Sequence, residues 1–122
     1  MDKISREKIL IVEDESRLRE TWNEIFQIFG VSPYLAKNGL EAKNIIENHP
    51  IEIVVTDIQM PIADGYFVLN FIKSNNLKIK TIVCTGQLDD KAFFEFDIEK
   101  IILKPFNMIT EVEYVLSLLD KS

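Results

Sequence analysis

The feature that most constrains the fold of this chain is its alternation of short apolar runs with amphipathic segments. The runs are rich in β-branched residues and lie at Ile9–Val12, Tyr34–Ala36, 53–56, 79–84 and 101–103. The first run and the last two are almost continuously apolar, which is typical of strands covered on both faces in a parallel sheet. The chain is therefore predicted to place a series of buried strands side by side.

Amphipathic helices are predicted between these strands, because apolar residues recur there at three- and four-residue spacing. The clearest helix contains Leu18, Trp22 and Phe26, with Ser16 as a candidate amino-terminal cap and Gly30 as the stop signal. Further helices are predicted over residues 40–48, around 67–72 and around 112–119. Strand and helix thus alternate along the whole chain.

Strict alternation with short connections implies right-handed βαβ units. We expect an α/β fold with a doubly wound, five-stranded parallel sheet of the flavodoxin-like type, strand order 2-1-3-4-5, and about five helices on both faces. The segment between Thr85 and Lys104 lacks clean periodicity, so its helix is expected to be short. No linker or repeat divides residues 1–122, which predicts a single domain.

Composition excludes several classes of protein. A hydrophobic content of 47% is too high for a disordered chain, and no apolar run approaches the ~18 residues of a membrane span. The first residues lack a secretion signal, so a cytoplasmic protein without membrane association is expected. A net charge of -6 argues against direct nucleic-acid binding. Cys84, the single cysteine, lies in an apolar run and is expected to serve packing.

Polar residues stand at the carboxyl ends of four predicted strands, where open parallel sheets form their sites. Glu13 and Asp14 follow the first strand, Asp57 the third, Thr85 the fourth and Lys104 the fifth. With the flavodoxin-like strand order, these side chains converge in one cleft.

The chemistry of this set points to a phosphoryl group and a metal ion. Three neighbouring carboxylates, Glu13, Asp14 and Asp57, repel one another and need a hard cation, and oxygen ligands suit Mg²⁺. Lys104 offers a positive charge and Thr85 a hydroxyl group, which together complement phosphoryl oxygens. Asp57 is the candidate nucleophile that would form an acyl phosphate.

The chain resembles the receiver domains of bacterial two-component response regulators. The resemblance spans almost the whole chain and rests on ILIVEDE at 9–15, AKNGLEA at 36–42, DIQMP at 57–61, DG at 64–65, TG at 85–86 and KPF at 104–106. It implies that Glu13 and Asp14 hold Mg²⁺ and that Asp57 is phosphorylated, with Thr85 and Lys104 binding the phosphoryl oxygens. It further implies that the backbone carbonyl of Gln59 is a metal ligand and that the Lys104-Pro105 bond is cis.

The resemblance also implies a function as a phosphorylation-dependent switch in a phosphorelay. Asp57 would accept a phosphoryl group from a phosphohistidine of a sensor histidine kinase or histidine phosphotransfer protein, which changes the affinity for a downstream protein partner. Such a chain is a phospho-acceptor and not an enzyme, because it catalyses at most its own phosphorylation and dephosphorylation. Two alternatives are a magnesium-dependent phosphohydrolase on a similar sheet and a receiver-like interaction module without phosphorylation. The phosphohydrolase is disfavoured because 13–15 reads Glu-Asp-Glu and 57–59 reads Asp-Ile-Gln, not Asp-x-Asp.

Three departures from the family pattern bear on signal output. Ile101 stands where the family usually has an aromatic residue that turns inward on activation, and the segment before Lys104 is shorter than usual. Gln59 and Gln87 occupy positions that in the family influence hydrolysis of the acyl phosphate. We therefore expect the signal to leave through the loops after Asp57 and Thr85.

Other side chains are assigned to packing or surface: Trp22 to the core, His49 to the surface, and part of the cluster Phe93, Phe94 and Phe96 to an exposed contact surface.

Overall fold

A computed structural model describes residues 8–87 and 93–119 of the chain. These residues form five strands and four helices: β1 (Ile9–Val12), α1 (Ser16–Ile28), β2 (Tyr34–Ala36), α2 (Gly39–Asn48), β3 (Ile53–Asp57), α3 (Gly65–Ser74), β4 (Lys80–Thr85), β5 (Lys100–Leu103) and α4 (Met108–Leu119). The short helix expected between Thr85 and Lys104 lies partly outside the described residues, because residues 88–92 are not among them. Among the described helices, none has both the length and the apolar character needed to span a membrane.

The strands form one parallel sheet in the order β2-β1-β3-β4-β5, which confirms the predicted flavodoxin-like topology. The register aligns the carboxyl ends of the strands: Val12 pairs with Thr56, Asp57 with Cys84, and Thr85 with Leu103. Residues that directly follow β1, β3, β4 and β5 therefore meet at one edge of the sheet.

Two apolar layers cover the two faces of the sheet, as predicted. On one face, alternate strand residues such as Ile11 and Val55 pack with Trp22 of α1 and Val112 of α4. On the other face, residues such as Leu10, Val12 and Val54 pack with Ala42 of α2 and Val68 of α3. Each fully buried aliphatic side chain stabilises the fold by about 1.5–3 kcal/mol relative to exposure. The sheet is thus a rigid platform for the residues at its edge.

The helices begin in two different ways. Asn38 and Asp64 cap α2 and α3, because their side-chain oxygens accept hydrogen bonds from the N–H groups of Glu41 and Phe67. The predicted cap at Ser16 is wrong: Ser16 is already the first helical residue of α1, and Glu15 precedes it without a side-chain cap bond. A hydroxyl inside the first turn does not occupy the cap position, from which a side chain reaches the free N–H groups.

Gly65 joins β3 to α3 by a close approach of two backbone segments. Its N–H group donates to the Ile58 carbonyl over 2.8 Å, and a Cβ atom here would collide with the Asp57 carbonyl oxygen. Gly39 is similarly close to the β3–α3 loop, since its N–H group donates to the Ala63 carbonyl over 2.7 Å. These contacts hold the loop after Asp57 against the sheet edge.

Candidate functional site

Three acidic side chains from two adjacent strands meet at the carboxyl edge of the sheet. Carboxylate oxygens of Glu13, Asp14 and Asp57 lie within 4.8 Å of one another. Glu13 is only 3% exposed and Asp57 is also buried, whereas Asp14 is exposed. The Glu13 N–H group donates to the Ala36 carbonyl over 2.9 Å, which continues the pairing of β1 with β2 up to the site.

Lys104 lies opposite the acids at the end of β5. Its ammonium group donates to Asp57 Oδ2 over 2.9 Å and lies 3.6 Å from Glu13 Oε1. The Lys104 N–H group donates to the Thr85 carbonyl over 2.9 Å, so the backbone of Lys104 is anchored to β4. The Lys104-Pro105 bond is cis, as the resemblance to receiver domains implied.

Burial and charge shift the protonation of two of these groups. Burial is the main reason that the pKa of Glu13 is raised to about 7; the Glu15 N–H group opposes this rise and the charge of Asp57 adds to it. For Lys104, burial alone would lower the pKa, but the hydrogen bond to Asp57 and the charges of Glu13 and Asp57 raise it above its usual value. Lys104 is therefore a permanent cation, whereas Glu13 is held in an environment that penalises its charge.

Asp57 presents its carboxylate to an open cleft. Its Oδ1 atom accepts a hydrogen bond from the Ile58 N–H group over 2.8 Å, and its Oδ2 atom accepts the one from Lys104. A cavity of about 230 Å³ lies next to it, lined by Asp57, Gln59, Thr85, Gly86, Gln87 and Lys104. The cavity therefore adjoins a carboxylate whose two oxygens are both oriented by hydrogen bonds.

Thr85 lines the same cleft, but its hydroxyl group is engaged by its own loop. The hydroxyl donates to the Gln87 carbonyl over 2.9 Å and accepts from the Gln87 N–H group over 3.2 Å. Any bond from this hydroxyl to a group in the cleft would therefore compete with its bond to the Gln87 carbonyl.

The donor set fits Mg²⁺. Glu13, Asp14 and Asp57 supply only hard oxygen ligands, and their charges exceed the compensation that the single ammonium group of Lys104 provides. Burial raises the pKa of Glu13; the charges of Asp57 and Asp14 add to this rise and the charge of Lys104 opposes it. Gln59 lines the cavity, and a role for its backbone carbonyl as a ligand stays a prediction.

Sequence reasoning missed two contacts of the site. One is the Ile58 N–H group on Asp57; the other is Arg19, whose Nη1 atom donates to the backbone carbonyls of Glu13 over 2.8 Å and of Asp14 over 3.3 Å. The available signal for Arg19 was its place in the first turn of α1, where the helix dipole disfavours a cation.

Residues assigned to packing behave largely as expected. Trp22 is buried against Phe106, and Cys84 is buried in the sheet, where burial raises the pKa of its thiol. Of the aromatic cluster, Phe93 is buried and Phe94 is 83% exposed, in line with a partly exposed contact surface. His49 lies exposed at the end of α2 and stacks on Tyr34 with ring centroids 4.4 Å apart.

Comparison with known proteins points to one family. The sequence profile of the Response regulator receiver domain matches residues 9–115. The sporulation initiation phosphotransferase F of Bacillus subtilis is 36% identical over 85 residues, which cover 68% of either chain. A probable transcriptional regulator, ycf27 of Guillardia theta, is 30% identical over 88% of this chain but only 43% of its own length. The chain thus spans less than half of that relative.

Solved structures give the same result. A DNA-binding response regulator of the LuxR family from Staphylococcus aureus superposes with a TM-score of 0.80 at 27% identity, covering 94% of this chain and 98% of that one. A CheY-like receiver domain from Methanospirillum hungatei JF-1 gives 0.84 at 23% identity, covering 98% and 96%, which supports the fold alone. The chain therefore belongs to the response regulator receiver domain family, whose members are phosphorylation-dependent switches of two-component signalling.

Proposed function

We propose that Asp57 accepts a phosphoryl group from a phosphohistidine of a sensor histidine kinase or histidine phosphotransfer protein, in a magnesium-dependent reaction. The observation that carries this proposal is the arrangement around the Asp57 carboxylate. Lys104 lies 2.9 Å from one of its oxygens, two further carboxylates lie beside it, and it faces a cavity of about 230 Å³.

In the proposed reaction, a carboxylate oxygen of Asp57 forms a bond to phosphorus while the phosphorus–nitrogen bond of the donor histidine breaks. The electron pair of the broken bond stays on the imidazole, which leaves as a neutral ring when its other nitrogen carries a proton. Asp57 is oriented for this attack because the Ile58 N–H group and Lys104 each hold one of its oxygens. The ammonium group of Lys104 then stabilises the negative charge of the phosphoryl oxygens.

Glu13, Asp14 and Asp57, together with the backbone carbonyl of Gln59, would hold the metal. Bound Mg²⁺ supplies positive charge that offsets both the acidic cluster and the phosphoryl oxygens. Glu13 must give up its proton to serve as a ligand, since its pKa lies at about 7.

Thr85 would link phosphorylation to a change in conformation. Its hydroxyl group donates to the Gln87 carbonyl over 2.9 Å, and a phosphoryl oxygen on Asp57 would compete for this donor. The competition frees the Gln87 carbonyl and alters the loop after β4. We propose that this change, and the matching change after β3, alters affinity for a downstream protein partner.

Residues 1–122 would act as one receiver domain in the cytoplasm, where phosphohistidine donors of two-component systems operate. Direct nucleic-acid binding by this domain is disfavoured by the net charge of -6.

Intact-mass analysis after incubation with a small phosphodonor and Mg²⁺ tests the proposal. We expect one labile phosphoryl adduct, which Asp57→Asn abolishes and which the matched surface change Asp97→Asn leaves intact. An adduct that survives in Asp57→Asn would refute the assignment of the acceptor. No adduct in the parent protein would favour an interaction module without phosphorylation, and turnover of a generic phosphoester would favour a phosphohydrolase.

A further inference from the structure

The loop that carries Glu13 and Asp14 is held by one arginine side chain. Nη1 of Arg19, a half-buried residue of α1, donates to the Glu13 carbonyl over 2.8 Å and to the Asp14 carbonyl over 3.3 Å. A single guanidinium nitrogen thus joins the two peptide groups that fix the direction of both acidic side chains.

Other support for this loop is sparse at Asp14. The Glu15 N–H group donates to Glu13 Oε2 over 3.1 Å, which orients Glu13. The carboxylate of Asp14 is exposed, and within residues 8–87 and 93–119 it accepts no hydrogen bond. Its position therefore depends on the backbone, and the helix that follows adds no side-chain cap at Glu15.

The place of Arg19 is unfavourable for the helix itself. The first turn of α1 contains Arg17 and Arg19 and no acidic residue, although the positive end of the helix dipole favours anions there. Helix stability thus gives no reason for a cation at this position. The two hydrogen bonds to the loop do give one.

We propose that Arg19 is a positioning residue of the metal site, holding the backbone of Glu13 and Asp14 so that both carboxylates face Asp57. This inference rests on the proposed magnesium-dependent function of the site. Arg19 acts through the backbone of the ligands and does not touch the metal or the phosphoryl group. Residues that orient metal ligands in this indirect way typically contribute about 10–100-fold to metal affinity.

The direction in which Mg²⁺ affinity changes on removal of Arg19 distinguishes a positioning role of its side chain from an effect of its charge. A cation near the acidic cluster repels Mg²⁺, so removing its charge alone makes Mg²⁺ binding tighter. Removing a positioning contact makes it weaker. Arg17 is the matched control, because it lies in the same helical turn, carries the same charge and makes no side-chain hydrogen bond to the acidic loop.

The test is calorimetric titration of Arg19→Met, Arg17→Met and the parent protein with MgCl₂ at about pH 8, above the Glu13 pKa of about 7. Methionine keeps the aliphatic stem of each side chain and removes the donor. We expect Arg19→Met to bind Mg²⁺ about tenfold more weakly than the parent, and Arg17→Met to bind it equally or more tightly. Urea unfolding in EDTA should give similar midpoints for the two variants. Binding by Arg19→Met as tight as by Arg17→Met would overturn the inference.

Arg19→Lys keeps the test decisive if the methionine variant fails to fold. Its shorter side chain keeps the charge but cannot reach both carbonyls as the guanidinium does, so we expect about threefold weaker Mg²⁺ binding. Unchanged binding by this variant would also overturn the inference. Phosphorylation of the parent at saturating Mg²⁺ is measured in parallel, because its absence would count against the proposed function and not against Arg19 alone.

Discussion

The Glu13 carboxyl group lies almost fully buried beside Asp57 and Lys104, and burial raises its pKa to about 7. A carboxyl group with a higher pKa in the folded chain than in the unfolded chain binds a proton more tightly when folded. Its stabilising contribution is therefore fully present below about pH 4.5 and is lost as the pH rises through about 7. In the metal-free protein, the ionised form of Glu13 thus opposes folding.

We predict that this single group makes the metal-free protein less stable at pH 8 than at pH 5, by about 2–3 kcal/mol. Urea unfolding in EDTA at both pH values, for the parent and for Glu13→Gln, isolates the effect, since all other groups are shared. The parent should lose about 2–3 kcal/mol more than the variant between the two pH values. An equal loss in both proteins would mean that Glu13 titrates as it does in an unfolded chain.

The junction between β3 and α3 sets the position of Asp57. Gly65 starts α3 with its backbone against Asp57 and Ile58, where a Cβ atom would meet the Asp57 carbonyl oxygen and the Ile58 side chain. Asp57 and Ile58 are held against movement, because the Gly65 N–H group donates to the Ile58 carbonyl over 2.8 Å and β3 is paired on both sides.

We predict that Gly65→Ala lowers the free energy of unfolding by about 3 kcal/mol, because an overpacked backbone contact must be relieved by moving a strand end or a helix start. Gly86→Ala is the matched control, since a Cβ atom there meets nothing within 4 Å and its φ is not positive. That variant should be neutral or slightly more stable. Urea unfolding of both variants measures the difference, and equal stabilities would show that the junction is adaptable.

The strands and helices were predictable because burial of a sheet on both faces requires continuous apolar runs in its strands and periodic apolar residues in its helices. The apolar runs of β1 and β4 and the periodic residues of α1 were placed within a residue or so of their final bounds. Alternation and short connections predicted a doubly wound parallel sheet, and the strand order was that expected for the flavodoxin-like type. The start of α1 was not predictable in the same way, because Ser16 is a common cap type and only backbone conformation decides which residue occupies the cap position.

Parts of the site that depend on main-chain groups were also beyond the sequence. The types of the side chains at the strand ends, carboxylates and a lysine, indicate a cleft in the sequence. The N–H group of Ile58 that donates to Asp57 leaves no such signal, because nearly every residue has a backbone N–H group. Ile62, in the loop after Asp57, has a φ of 73°, which a β-branched residue rarely adopts. Sequence preferences argue against this conformation, so only the structure reveals it.

A change at Asp57 must reach the outer surface of the protein to act as a signal. Ile101 of β5 stands where the family usually has an aromatic residue, and it is half-buried against a cluster that includes Val83 and Phe93. A branched aliphatic side chain has a stiff χ1 and buries similar areas in its alternative positions. Little differential free energy is available there to shift a population between two states.

Amide hydrogen exchange with and without a phosphoryl mimic tests where the change occurs. Because the Thr85 hydroxyl holds the Gln87 carbonyl and the loop after Asp57 is bonded to α2 through Gly39, we expect altered protection in residues 59–64 and 86–87. Only slight changes are expected in Lys100–Leu103 and α4, because the aliphatic Ile101 offers little differential free energy between two states. Asp57→Asn exposed to the same mimic is the control and should show no change. Large changes confined to β5 and α4, with both loops unchanged, would show that signal output passes through the Ile101 surface despite its aliphatic side chain.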